Sequence, residues 1–236
     1  MSLQQITGSI HEMVDGGLEY FKNPELKISW GGPFNGQEFR KKIFLNLLDN
    51  FSFKAVVETG TYRGTTTDFF LSTSRPVYTT ESQYRYFGYA LIRFLSKWKH
   101  IRLFRKDSRD FLRSLAARRS FPKKNVFFYL DAHWQEDLPL VEELDIIVSN
   151  WRNSVIMIDD FCVPDTNYGY DNYGEGRVLK LDYLNPVIIP NNIPLFFPSV
   201  GSEEETGEKR GCIVLGTEND TGSILDRIPT LRRYYI

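Results

Sequence analysis

The stretch from Ala55 to Phe70 changes character halfway, and that change constrains the fold more than any other feature of the chain. Ala55-Val56-Val57 is a short, largely β-branched run of the kind buried in a parallel sheet. From Thr65 onward the pattern is that of a helix whose apolar face carries Phe69, Phe70 and Leu71. Between them lies a turn with two glycines. Gly60 can adopt backbone angles closed to other residues, Gly64 lets the helix approach the strand, and the amides from Thr59 to Thr66 are expected to point above the strand end. Donors gathered at a helix N-terminus suit an anion or a carboxylate.

The next apolar run, Pro76 to Thr80, ends in Glu81. A βαβ unit delivers an acid to ribose hydroxyls about twenty residues after its glycine turn, and Glu81 stands at that spacing from Gly60. A carboxylate there accepts from a vicinal diol and repels a phosphate, so the expected ligand carries a free ribose. Tyr62 occupies the place where a dinucleotide fingerprint needs its middle glycine, which argues against a nicotinamide-dependent oxidoreductase.

Together, Glu58-Thr59-Gly60-Thr61-Tyr62-Arg63-Gly64, Glu81 after a second strand and Asp107-Ser108 after a third resemble a class I S-adenosylmethionine-dependent methyltransferase between about Phe51 and Thr217. The resemblance implies a three-layer Rossmann-like α/β fold: a mostly parallel seven-stranded sheet closed by an antiparallel C-terminal hairpin. It assigns S-adenosylmethionine to Glu58, Thr59, Gly60, Thr61, Arg63, Gly64, Thr65, Thr66, Glu81, Ser82, Asp107, Ser108 and Asp131. Residues 1–50 become a helical appendage, either a lid or a dimer contact by the resemblance or, from the residues alone, a seal of the sheet edge by Trp30 and Phe34, and 51–236 the cofactor-binding domain. Arg63 is expected to meet the methionyl carboxylate or to pair with Asp68. Asp107 either meets the adenine or caps the helix that follows it.

Elsewhere the pattern predicts one or two short helices within 4–21, broken around Gly16-Gly17, then a loop centred on Trp30 and Phe34 and a helix over 38–48. Asn125 to Leu130 is the most apolar strand, expected at the sheet centre and followed by Asp131-Ala132-His133. Ser154 to Ile158 is a further strand, ending in Asp159-Asp160. Strands are expected over 193–198 and 211–215, and a short helix within 224–236.

Three carboxylates thus stand at neighbouring strand ends, the edge at which open α/β sheets bind ligands. Asp131, Asp159 and Asp160 offer a hard oxygen site for Mg2+ or another divalent cation. The arrangement resembles metal-dependent O-methyltransferases of the catechol and macrolide-sugar types, although no lysine follows Asp131 closely as it does in the catechol enzymes. Without a cation, repulsion would keep one carboxylate protonated and able to act as a base. Asp131 and His133 are therefore the catalytic candidates. Tyr168, Tyr170 and Tyr173, in a loop over 164–176, are candidates to line the pocket of a small-molecule acceptor, a sugar or a phenol.

Composition limits the partners. The formal net charge of −1 supplies no attraction to nucleic acid or to an anionic membrane. Cys162 and Cys212 are the two cysteines, read as reduced thiols of a cytoplasmic protein. The start of the chain lacks the pattern of a signal peptide, and no apolar run is long enough to span a bilayer.

Overall fold

The computed structural model describes residues 3–133, 137–174 and 176–236. In chain order its elements are α1 (Leu3–Lys22), α2 (Glu38–Asn50), β1 (Ala55–Thr59), α3 (Thr65–Ser72), β2 (Val77–Thr80), α4 (Tyr84–Phe94), β3 (Ile101–Phe104) and α5 (Ser108–Ala117). There follow β4 (Val126–Leu130), α6 (Leu140–Asn150), β5 (Val155–Ile158), α7 (Leu181–Ile188), β6 (Leu195–Pro198), β7 (Ile213–Gly216), α8 (Asn219–Leu225) and β8 (Leu231–Tyr234).

The strands form one sheet in the order β3-β2-β1-β4-β5-β7-β6-β8. The first five in that order are parallel; β7, β6 and β8 continue the sheet in antiparallel pairings. Every residue of β1, β4 and β5 is buried, because helices cover both faces of the sheet. One core packs Val57, Phe128, Ile156 and Ile158 against α5, α6 and α7. The other packs Val56, Phe127, Tyr129 and Met157 against α2, α3 and α4. The expected α/β class and the closing antiparallel strands are present, with one strand more than expected: 231–234, read as part of a helical tail, pairs with β6 along the sheet edge.

The amino-terminal region departs from expectation too. Residues 3–22 form one unbroken helix, and Gly16 is a contact point within it. A Cβ at Gly16 would lie 1.8 Å from the Arg85 carbonyl oxygen, and one at Gly88 would lie 2.0 Å from that of Met13. These glycines bring α1 and α4 into backbone contact, so the Gly16-Gly17 pair marks a helix interface instead of a break. Further on, Phe34, Ile43, Phe44 and Leu47 share the second core with Val56 and Phe127. Part of the segment read as an appendage is therefore a wall of the main fold.

Candidate functional site

Because β1, β2, β4 and β5 run parallel, the residues that follow them meet at one edge. Gly60, Glu81, Asp131 and Asp160 all line a single crevice of about 550 Å³. Gly60 has φ +85°, and a Cβ there would stand 2.2 Å from the carbonyl oxygen of Asp131, so glycine is required for the turn to pass β4. The turn spends its own amides. Gly60 and Thr61 donate to Thr80 O at 3.1 and 3.0 Å, Tyr62 to Glu81 Oε2 at 2.8 Å and Gly64 to Thr61 O at 2.8 Å. Those four donors were expected to face a ligand; three tie the loop to β2 and the Glu81 that follows it, and the fourth closes the turn on itself.

In the half of the crevice above β1 and β2, the acids are individually satisfied. Glu58 accepts from Thr67 Oγ1 at 2.5 Å and Thr79 Oγ1 at 2.6 Å. Burial pushes its pKa up to about 7 against the pull of those hydroxyls. Glu81 accepts from the Tyr62 and Gln83 amides, both at 2.8 Å, and burial likewise pushes it up to about 7. Each of its oxygens keeps a second lone pair for a ligand hydroxyl. Asp107 caps α5 by accepting from the Arg109 amide at 2.9 Å and also lines the crevice. The Arg109 side chain, followed against it by partial burial, holds the Asp107 carboxyl below its usual range.

Thr61, Thr65, Thr66, Ser82 and Ser108 also line the crevice. Thr59 and Gly64 lie behind it. Thr59 is buried, and a Cβ on Gly64 would meet the Phe94 ring at 2.6 Å. Arg63 turns away from the crevice, its guanidinium 4.6 Å from the Tyr62 ring centroid and 5.2 Å from that of Tyr86. The expected pairing with Asp68 does not form, since Asp68 binds Arg93 and Lys97.

The half above β4 and β5 is built differently. Ligand atoms of Asp131, His133 and Asp160 all lie within 4.8 Å of one another. His133 Nε2 is 4.0 Å from Asp131 Oδ1 and 3.8 Å from Asp171 Oδ2, and the imidazole side chain is 1% exposed. Neither ring nitrogen has a hydrogen-bond partner among the described residues. Burial lowers the His133 pKa, opposed by the charges of Asp160 and Asp171, which makes the neutral ring the resting form at pH 7. Asp131 is pushed upward by its enclosure and then by Asp160 and Glu58. With 34% of its side chain open to solvent in the crevice, that displacement is smaller than full burial would produce. Arg210 clamps the remaining acids: its Nε donates to Asp160 Oδ1 at 2.8 Å, and its Nη2 binds Asp171.

Asp159 does not join this group. Its carboxylate accepts from Arg40, from the Tyr129 hydroxyl and from the Asp160 amide at 2.7 Å, and it is buried. Successive side chains of a strand point to opposite faces. At the end of β5, Asp159 takes the α2 side and Asp160, with φ +51°, turns into the crevice. The place beside Asp131 and Asp160 that was expected of Asp159 is taken by His133.

Of the loop tyrosines, only Tyr173 lines the crevice, with its hydroxyl on Asp171. Tyr168 is buried, donating to Gly201 O at 3.2 Å, and Tyr170 is exposed outside the crevice. Trp30 contributes to the rim. Asp171 and Arg210 escaped sequence reasoning because one lies in a loop and the other in a polar connection, with no local signal that they meet across 39 residues.

No family profile and no curated protein matches the sequence. Solved structures do match the fold. An O-methyltransferase from Bacillus cereus in complex with SAH aligns with TM-score 0.54 and 15% identity over 75% of this chain and 79% of its own. TomG from Streptomyces achromogenes, an O-methyltransferase involved in tomaymycin synthesis and solved with SAM, gives 0.54 and 15% over 75% and 78%. SAH-bound methyltransferase PaMTH1 of Podospora anserina gives 0.51 and 15% over 76% and 77%. The fold is that of the class I methyltransferases.

Proposed function

We propose that the chain binds S-adenosylmethionine and transfers its methyl group to a hydroxyl of a small molecule, a sugar or a phenol, with help from a divalent cation. The observation that carries this reading is the meeting, in one crevice, of a ribose-type acid after β2 with an open Asp131–His133–Asp160 group after β4 and β5. S-adenosylmethionine would supply a methyl on a sulfonium sulfur, passed in line to the acceptor oxygen while sulfur keeps the bonding pair.

Glu81 would hold the ribose diol, Asp107 and Ser108 would border the adenine, and Glu58 with the 60–66 turn would border the methionyl end. Without the cation, Asp131 and the neutral His133 would be the proton acceptors for the hydroxyl, because Arg210 already engages Asp160 and Asp171. The donor set of two carboxylates and an imidazole with two unpartnered nitrogens fits a divalent cation, which would lower the hydroxyl pKa.

Calorimetric titration with S-adenosylhomocysteine and with NAD tests the cofactor, and formation of S-adenosylhomocysteine with a panel of polyols, sugars and catechols tests the reaction. Binding of the homocysteine compound and turnover with a hydroxyl acceptor are expected. NAD binding without a response to S-adenosylhomocysteine would overturn the reading.

A further inference from the structure

We infer that Asp131, His133 and Asp160 form a mixed nitrogen–oxygen site selective for a first-row transition ion of the manganese-to-zinc series over Mg2+. The inference rests on the proposed reading in taking this crevice as the place where a cation assists; the binding it predicts can be measured without turnover.

Two independent features point to a ligand. His133 is 97% enclosed by the fold, being 3% exposed, and yet both ring nitrogens lack partners among the described residues while the ring lines the crevice. Leaving such donors and acceptors unpaired is unfavourable, so the position is one that a ligand completes. Around it, three carboxyl groups gather, those of Asp131, Asp160 and Asp171, and the Arg210 guanidinium binds the last two, leaving Asp131 without a cationic partner among them.

Donor chemistry then selects the ion. Mg2+ takes oxygen ligands and keeps its waters, whereas imidazole favours the later first-row ions. The fold favours this choice by burying Asp159, the remaining carboxylate after β5, under Arg40 and by tying Asp171 to Arg210, so that His133 is the third donor beside Asp131 and Asp160. Bonds of about 2.1 Å place ligand atoms on one ion about 3 to 4 Å apart, so donors now within 4.8 Å need only side-chain rotation to close. Arg210 can retain Asp171 when it yields Asp160.

Full-length protein freed of metal by chelator is titrated calorimetrically with Mn2+, Co2+, Zn2+ and Mg2+, and the Co2+ form is examined by visible absorption. S-adenosylhomocysteine affinity is measured on the same samples. At least one transition ion should bind at least about tenfold more tightly than Mg2+. His133→Ala should lose about tenfold or more of that affinity and the Co2+ band, with S-adenosylhomocysteine affinity and thermal midpoint kept. His133→Asp should shift preference toward Mg2+, and it also tests the site should the alanine variant fail to fold. Equal affinity for Mg2+, no cation binding, or transition-ion binding unchanged in both variants would each overturn the assignment. If S-adenosylhomocysteine binds and no cation does, this inference and the cation's part in the proposed reaction fail while methyl transfer stands; if a cation binds as described and S-adenosylhomocysteine does not, the methyl-transfer reading fails and this inference stands.

Discussion

The two halves of the crevice hold their carboxylates by different means. Above β1 and β2, Glu58 rests on two threonine hydroxyls and Glu81 on two backbone amides, all local to the strands and turn that carry them. Above β4 and β5, Asp160 and Asp171 are held by Arg210 from a distant connection, and His133 is held by no hydrogen bond among the described residues. Neutral hydroxyls and amides fix a shape without cancelling charge; a guanidinium cancels charge but can exchange one carboxylate for another. The first half presents a fixed shape, the second a set of charges that can be rearranged.

Beneath the second half lies a part that cannot exchange. Arg40 and Asp159 are each 1% exposed at the side chain, and Arg40 also donates to Gly211 O at 2.9 Å. Removing one member of a buried pair strands the other, so Arg40→Ala should lower unfolding stability by about 3 to 5 kcal/mol in urea denaturation. Asp160→Asn, at a position whose side chain is 18% exposed, should change it by less than about 1 kcal/mol. Similar losses for both would erase the distinction drawn between these chain neighbours.

The next largest effect concerns the first half. Glu81→Ala removes the acid assigned to the ribose and frees the Tyr62 and Gln83 amides. S-adenosylhomocysteine affinity should fall by about 1.5 to 3 kcal/mol, read by calorimetry. Unchanged affinity would mean that the ordered half does not hold the cofactor.

Protonation sharpens the same contrast. Burial holds Glu81 at about 7, above the 4.5 of an exposed glutamate, so near pH 6 the folded protein retains a proton there that the unfolded chain has released. With more protons bound to the folded state, this group's contribution to stability falls as pH rises from about 4.5 to 7. Ribose hydroxyls donate best to the carboxylate, so cofactor affinity should move the other way, rising by up to about tenfold per pH unit below 7 and levelling above it. Glu81→Gln should flatten that profile in calorimetry at successive pH values.

Much of this arrangement was legible in the chain. Buried β-branched and aromatic runs marked β1, β4 and β5, and the residues after parallel strands share an edge whatever the loops do, which is why Gly60, Glu81 and Asp131 were found together. What failed to read depended on contacts remote in sequence. Gly16 looked like a helix break because nothing local reveals Arg85 against it, and β8 looked helical because its strand character comes from pairing with β6. Asp159 and Asp160 were equivalent as adjacent letters; strand alternation and the arrival of Arg40 from α2 separate them.

The smallest effects fall on the loop that walls the second half. Tyr173 lines the crevice and donates to Asp171, which in turn shares Arg210 with Asp160. Tyr173→Phe keeps the ring and deletes that donor, so Asp171 is left with a stronger claim on Arg210 and Asp160 with a weaker one. A net loss of about 1 kcal/mol, the scale of one neutral hydrogen bond, should appear as a severalfold rise in acceptor KM with S-adenosylhomocysteine affinity unchanged. Tyr170→Phe removes a hydroxyl from a ring that is 39% exposed and lies outside the crevice, and both quantities should stay within about 0.5 kcal/mol of the parent. Equal shifts in the two variants would show that the acceptor reaches past the crevice wall onto the outer face of the loop, and the exchangeable half would then extend beyond the charges that Arg210 holds.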